Sequence, residues 1–215
     1  MLARSLGRTP RWRWTTVGIV ALALASAVSC GQQNTTGRSP SYLVIDSLQG
    51  ASGAKPGTFG SSVESDVVTN VKVQVGGQEV FQPTIYEDMG QVTLRMALKD
   101  VGVASPTSTN SITVTRYHVK FKRSDGRETQ GVDVPYEFDG AATGTFDSSG
   151  GTLTFVLVRA QAKLEAPLKA LRNGGSAIVI STIAEITFYG ADQNNNQVSV
   201  TGSISVNFAD WGDPA

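Results

Sequence analysis

The sequence predicts an all-β fold, an antiparallel β-sandwich of about seven to nine strands with one short helix near residues 165–172. Three observations carry this expectation. Apolar residues alternate with polar ones at a two-residue period in several separate segments. The 215 residues include 23 Gly and only 17% charged residues, and the Gly, Ser and Asn cluster as turn signals between those segments. Finally, no strand–helix–strand spacing of the kind that builds a parallel sheet occurs.

Taken in order, residues 42–46 form a first short strand, followed by a Gly/Ser-rich loop over 49–62. Val71, Val73 and Val75 alternate with Lys72 and Gln74 up to Gly76-Gly77, and Val92, Leu94, Met96 and Leu98 alternate with Thr93, Arg95 and Ala97. Each pattern is that of a strand with one buried face. Over 112–122, Ile112 and Val114 hold even positions while Tyr117, Val119 and Phe121 hold odd ones, so a bulge is expected near Thr115-Arg116. Ser124-Asp125-Gly126 then turns the chain, and 127–134 is expected to return as the second strand of a hairpin that Pro135 ends.

A long apolar strand is expected over 152–163 after Ser149-Gly150-Gly151. The helix follows over 165–172, with Pro167 in its first turn, Asn173-Gly174-Gly175 as its stop, and Leu164, Leu168 and Leu171 on one face. Residues 177–189 and 197–208 form a closing hairpin across 191–196, with Val198, Val200, Ile204, Val206 and Phe208 on its apolar side. This order of elements resembles an immunoglobulin-like or fibronectin-like sandwich. The resemblance lies in pattern alone, because the Cys pair and buried Trp motif of antibody domains are missing.

The N-terminus has a different character. Arg4, Arg8, Arg11 and Arg13 precede an apolar run over 17–28, with no acidic residue before Cys30. About a dozen apolar residues are too few to cross a hydrocarbon core, which needs roughly 20 in a helix. The segment therefore reads as a signal peptide over 1–29. Ala27-Val28-Ser29-Cys30 resembles the lipobox of bacterial lipoproteins, with Ala27 where Leu is usual. The resemblance covers the leader only. It implies cleavage before Cys30, acylation of that Cys by several chains and a lasting membrane anchor. Gly31 and Gln32 follow without an inner-membrane retention Asp, which points to the outer membrane or cell surface. The competing reading is a plain secretory signal that leaves Cys30 an unpaired thiol.

Residues 30–41 are polar and read as a lipidated Cys and flexible tether, with a reach of roughly 18 Å for a coil of that length. The folded domain is then expected over 42–215. Removal of 1–29 takes four of the 18 basic residues and no acid, leaving 14 against 18. A mildly acidic domain gains nothing from phosphate attraction, so nucleic acid is not an expected partner.

Chemistry has few candidates. One Cys and one His cannot build the ligand sets of most transition-metal sites, and no phosphate loop or cofactor motif occurs. His118 shares a strand face with Arg116, Lys120 and Lys122, a possible ligand face for an acidic partner or sugar acid. The simpler reading is a solvated face with Glu128 or Asp133 opposite. A hydrolase triad lacks both a nucleophile elbow and an acid partner for His118. Asp192, Asn194 and Asn196 offer loop oxygens for calcium but without the Gly and terminal Glu of an EF-hand, and Asn is common in such turns for its backbone tolerance. Glu137, Asp139 and Asp147 form a second acidic group. Phe59, Tyr86, Tyr136 and Trp211 are placed in loops or at the terminus, as recognition aromatics or as plugs of the core. The resulting expectation is a lipid-anchored, non-enzymatic β-sandwich that binds membrane lipid through Cys30 and another envelope protein through its body. The alternative is a carbohydrate- or calcium-binding accessory domain or a cryptic hydrolase.

Overall fold

A computed structural model describes residues 37–100, 102, 110–174 and 178–211. Ten strands are present among them: β1 (Ser41–Ala51), β2 (Ser62–Asp66), β3 (Thr69–Val75), β4 (Gln78–Thr84), β5 (Asp88–Leu98), β6 (Ile112–Arg123), β7 (Phe138–Phe146), β8 (Gly151–Val158), β9 (Ile180–Asp192) and β10 (Gln197–Ala209). Eight of them make two sheets, a three-stranded one in the order β1-β5-β8 and a five-stranded one in the order β2-β10-β9-β6-β7. β3 and β4 pair only with each other. The chain is thus all-β and sandwich-like, as the alternation required. All pairings are antiparallel except β2 with β10, which is parallel.

The buried faces of the two sheets share one core. Val92, Leu94 and Met96 of β5 meet Val198, Val200, Ile204, Val206 and Phe208 of β10 within it. Tyr117 stands at its centre, with ring centroids 5.1 Å from Phe155 of the opposite sheet and 6.4 Å from Phe188 beside it. Phe155 and Phe188 themselves meet edge to face at 5.2 Å. The Tyr117 oxygen accepts the Val156 N–H at 3.1 Å, so the phenol brings a β6 side chain onto the backbone of β8. Burial pushes the Tyr117 phenol above its ordinary range.

The bulge expected near Thr115-Arg116 is present. The register of β6 shifts between Val114 and Arg116 against both neighbours, β7 and β9. The extra residue switches the buried set from Ile112 and Val114 to Tyr117, Val119 and Phe121. Opposite the bulge, an added Cβ at Gly190 would lie 2.3 Å from the Thr113 carbonyl oxygen, so only glycine lets the two backbones approach.

Several expectations are corrected. The strand over 42–46 continues to Ala51, and the loop assigned to 49–62 ends as β2, because Val63 and Ser65 add to the free edge of β10. Gly76 and Gly77, both at positive φ, turn the chain into β4, which was not expected. The valine alternation in β3 does not mark a buried face, since Val75 is 62% exposed. Residues 127–134 do not return as a strand. β6 already has β9 on one side and β7 on the other, and the Thr129 carbonyl instead gathers the N–H groups of Val132, Asp133 and Val134. β7 itself, rich in Gly and Ala, lacked a readable alternation.

β8 stops at Val158 because β5, its only partner, begins at Asp88, the residue opposite. The rest of the expected strand is helix α1 (Ala160–Leu164). The predicted helix over 165–172 shrinks to a 3-10 turn (Leu168–Leu171) after the cis Ala166-Pro167 bond. Pro167 disfavours helical backbone at Ala166, so the two pieces do not join. Leu168 and Leu171 are buried as expected, but Leu164 is exposed. The closing hairpin is as expected, with β9 beginning at Ile180; residue 177 lies outside the described residues. The body also begins before the expected boundary at 42. The Gly37 carbonyl accepts from Lys99 Nζ at 2.6 Å, the Pro40 carbonyl accepts the Lys99 N–H, and Ser39 is buried.

Because the clash at Gly190 is with backbone, Gly190→Ala should destabilise the fold by about 1–3 kcal/mol. Urea denaturation checks this; an unchanged midpoint would mean that the bulge can relax.

Candidate functional site

The cationic face expected on β6 exists, but acids answer it. Arg116 lies over the Tyr189 ring at 3.9 Å and pairs with Asp139 at 3.3 Å. His118 sits between Glu137, 3.6 Å from its Nε2, and Asp139, 3.3 Å from its Nδ1. Lys120 pairs with Glu128 at 3.3 Å. Lys122 is exposed across from Ile183. The reason is the register: β7 sets Asp139 directly opposite His118, and β9 sets Glu185 opposite Lys120. Glu128 stands against this face as expected. Asp133 does not, since it pairs with Arg127 at 3.4 Å within the 124–134 loop. In that same loop the Arg127 side chain and N–H hold Asp125 down to about 2.

Asp192, Asn194 and Asn196 are tied together by hydrogen bonds to the Asp192 carboxylate. Asp192 Oδ1 accepts the N–H groups of Asn194 and Asn196, both at 2.9 Å, and Oδ2 accepts Asn196 Nδ2 at 2.9 Å. The carboxylate organises its own turn, in which Asn195 takes φ 61°. Burial alone would raise Asp192, but the hydrogen bonds from Asn196, Ser39 and Asn194 outweigh it and hold the carboxyl below the usual carboxylate range. The other acidic group is dispersed: Glu137 and Asp139 flank His118, whereas Asp147 accepts from the Ser149 N–H and hydroxyl in the turn before β8. Among the described residues no group of three or more metal-ligating side chains is gathered.

Of the four aromatics, Phe59 and Tyr86 line a groove of about 650 Å³, together with Ala51, Pro56, Val71 and Met89. Tyr136 is half exposed, and Trp211 is partly buried, with its backbone N–H donated to Asp66 Oδ1 at 3.0 Å. Cys30 and the leader lie outside the described residues, and no helix among those described is long and apolar enough to cross a membrane.

Two features escaped the sequence reading. One is the outer surface beside the groove. Val71, which lines the groove, shares a face of the β3–β4 ribbon with Val73 and Val75, and Val80 lies directly opposite Val73. Val80 is 46% exposed and Val75 more so, while Phe81 projects from the other face at 60%. An apolar strip thus runs from the groove to the tip of a ribbon that neither sheet covers. Valine alternation marked the strand, but nothing local said that its apolar face would have no partner.

The other feature is a buried ion pair. Lys163 Nζ donates to Asp88 Oδ1 at 2.8 Å, and the two side chains are 1% and 0% exposed. Asp88 Oδ1 also accepts the Gly53 N–H at 2.8 Å, and Oδ2 accepts the Ser65 hydroxyl at 2.5 Å. The four residues come from β5, α1, β2 and the segment after β1. The sequence assigns Lys163 to the strand expected over 152–163, and its partner 75 residues away carries no sequence signal.

No protein-family model, curated protein or solved structure matches this chain.

Two outcomes follow. Asp88→Ala should destabilise the fold, because it leaves a buried ammonium without a counter-charge, and Asp88→Leu combined with Lys163→Met should be more stable than that single variant; equilibrium denaturation of the two variants decides, and a double variant no better than the single one contradicts the assignment. For Asp192 the native carboxyl lies lower than the unfolded one, so its stabilisation is complete above about pH 4 and disappears as pH falls through the native value. The stability gap between the wild type and Asp192→Ala should therefore narrow in acid, as thermal melts at neutral and acidic pH will show.

Proposed function

We propose that this protein is a lipid-anchored binding module of the cell envelope, which holds its sandwich near a membrane through Cys30 and engages another envelope protein through the β3–β4 ribbon. The observation that carries the reading is the apolar strip on that ribbon. A two-stranded ribbon is only marginally stable by itself in water, and one that turns Val75 and Val80 to solvent gains from a partner that covers them. Among the described residues both strands are also edges, the kind of strand to which an added strand can pair. A partner that offers an extended apolar segment satisfies both demands. The leader's resemblance to a lipobox supports the anchor, and outer-membrane or surface placement follows from the residues after Cys30. Binding is favoured over catalysis because the His118 ring is held between two exposed carboxylates, Glu137 and Asp139.

The reading is tested in cells with the full-length chain. A photo-crosslinking residue at Val75 or Val80 should capture one envelope protein, whereas the same residue at Ser199, on the polar face of β10, should not. Val80→Lys should abolish capture from Val75 without a change in thermal midpoint, and Cys30→Ser should abolish both capture and incorporation of a labelled fatty acid. Equal capture from all positions, or none, contradicts the ribbon as the contact. A fatty acid retained by Cys30→Ser contradicts the anchor.

A further inference from the structure

The dry contact between Lys163 and Asp88 brings together everything a condensation between their side chains needs. An amine and a carboxyl are held at 2.8 Å, both excluded from water. The carboxyl oxygen on which charge would develop, Oδ1, already accepts the Gly53 N–H. The oxygen that would leave, Oδ2, already accepts the Ser65 hydroxyl. We propose that Lys163 and Asp88 join in an isopeptide bond that crosslinks α1 to β5.

The step balances without an added reagent. One proton passes from the Lys163 ammonium to the Asp88 carboxylate and comes to rest on Oδ2, which turns the ion pair into an amine and a carboxylic acid, with Oδ1 as its carbonyl, and no change in net charge. Nζ then moves from the plane of the carboxyl to its face, and its lone pair attacks Cγ. The C=O electrons shift onto Oδ1, where the Gly53 N–H stabilises them as an oxyanion-hole donor would. A second proton passes from nitrogen to the Oδ2 hydroxyl, the oxygen to which the Ser65 hydroxyl donates. The Cγ–Oδ2 bond breaks, the Oδ1 electrons return to form the amide carbonyl, and one water leaves. Its exit is short, because Gly53 and Glu87, the neighbour of Asp88, both line the groove.

Proximity supplies the driving force for the rate: two groups fixed in contact react as if at very high concentration, and a buried site keeps out the water that would favour the reverse. Once formed, the amide replaces a buried charge pair with a neutral group. It also ties the end of the three-stranded sheet to the helix that closes it, which suits a module that transmits load between an anchor and a partner.

The test needs only the wild-type full chain, purified, denatured and digested with trypsin. The expected product is a branched peptide in which residues 73–95 are joined to residues 160–169. It should be one water lighter than the two peptides combined, with no cleavage after Lys163, since trypsin does not cut at an amidated lysine. Recovery of free 160–163 and unmodified 73–95 from the wild type overturns the proposal. Lys163→Arg keeps the cation but cannot form this amide, so its digest should contain 73–95 unlinked; a link that survives there would belong to another lysine. Ser65→Ala should slow the appearance of the branched peptide after refolding, and an unchanged rate would remove the hydroxyl from the step.

Discussion

Four segments that are distant in sequence converge on the Asp88 carboxylate, and the closed end of the sandwich depends on that convergence. The first residue of β5 receives hydrogen bonds from the segment after β1, from β2 and from α1. A buried carboxylate has to be satisfied wherever it lies, since an unpaired charge in a dry interior costs several kcal/mol. α1, which follows the end of β8, carries Lys163 inward to meet that demand. Ser65 of β2, which pairs in parallel with β10, donates to the same carboxylate. α1, β2 and the entry into the groove therefore meet at one carboxylate.

The rest of the body is held by apolar packing of an ordinary kind, arranged by one local irregularity. The β6 bulge moves Tyr117 onto the core side, where it meets Phe138, Phe155 and Phe188 and accepts a hydrogen bond from β8. Without the extra residue, Tyr117, Val119 and Phe121 would face water and the cations of that strand would face the core. The bulge thus decides both the core and the exposed row Arg116, His118, Lys120 and Lys122. Gly190 is the complementary residue on β9, because the bulged backbone lies where its side chain would be.

The surface divides into two kinds of region. On the β6 face the register sets Asp139 beside His118 and Glu185 beside Lys120, Arg116 pairs with Asp139, and the loop after β6 is stitched by Arg127 to Asp125 and Asp133. On the β3–β4 ribbon, Val75 and Val80 are exposed together, and nothing in the described body covers them. A balanced charged face has little left to offer a ligand, whereas an uncovered apolar strip next to two free strand edges has much.

By itself the sequence determined what depends on neighbours along the chain. The alternation of Val92, Leu94 and Met96 and of Val198 through Phe208, the phase change at Thr115-Arg116 and the turn residues after β9 are local signals, and each emerged where it was read. The short helix was legible in composition but not in extent, because Pro167 and the end of β5 divide it. β2, β4 and β7 were illegible, since they are strands by virtue of the partner at their side and carry short, exposed or Gly-rich sequences. The cationic row was correctly placed on one face, but only tertiary pairing revealed the acids opposite it. The Asp88–Lys163 contact and the uncovered ribbon were likewise decided by the fold. Burial and pairing are properties of distant segments brought together, and a one-dimensional pattern records only the periodicity that each segment brings to the meeting.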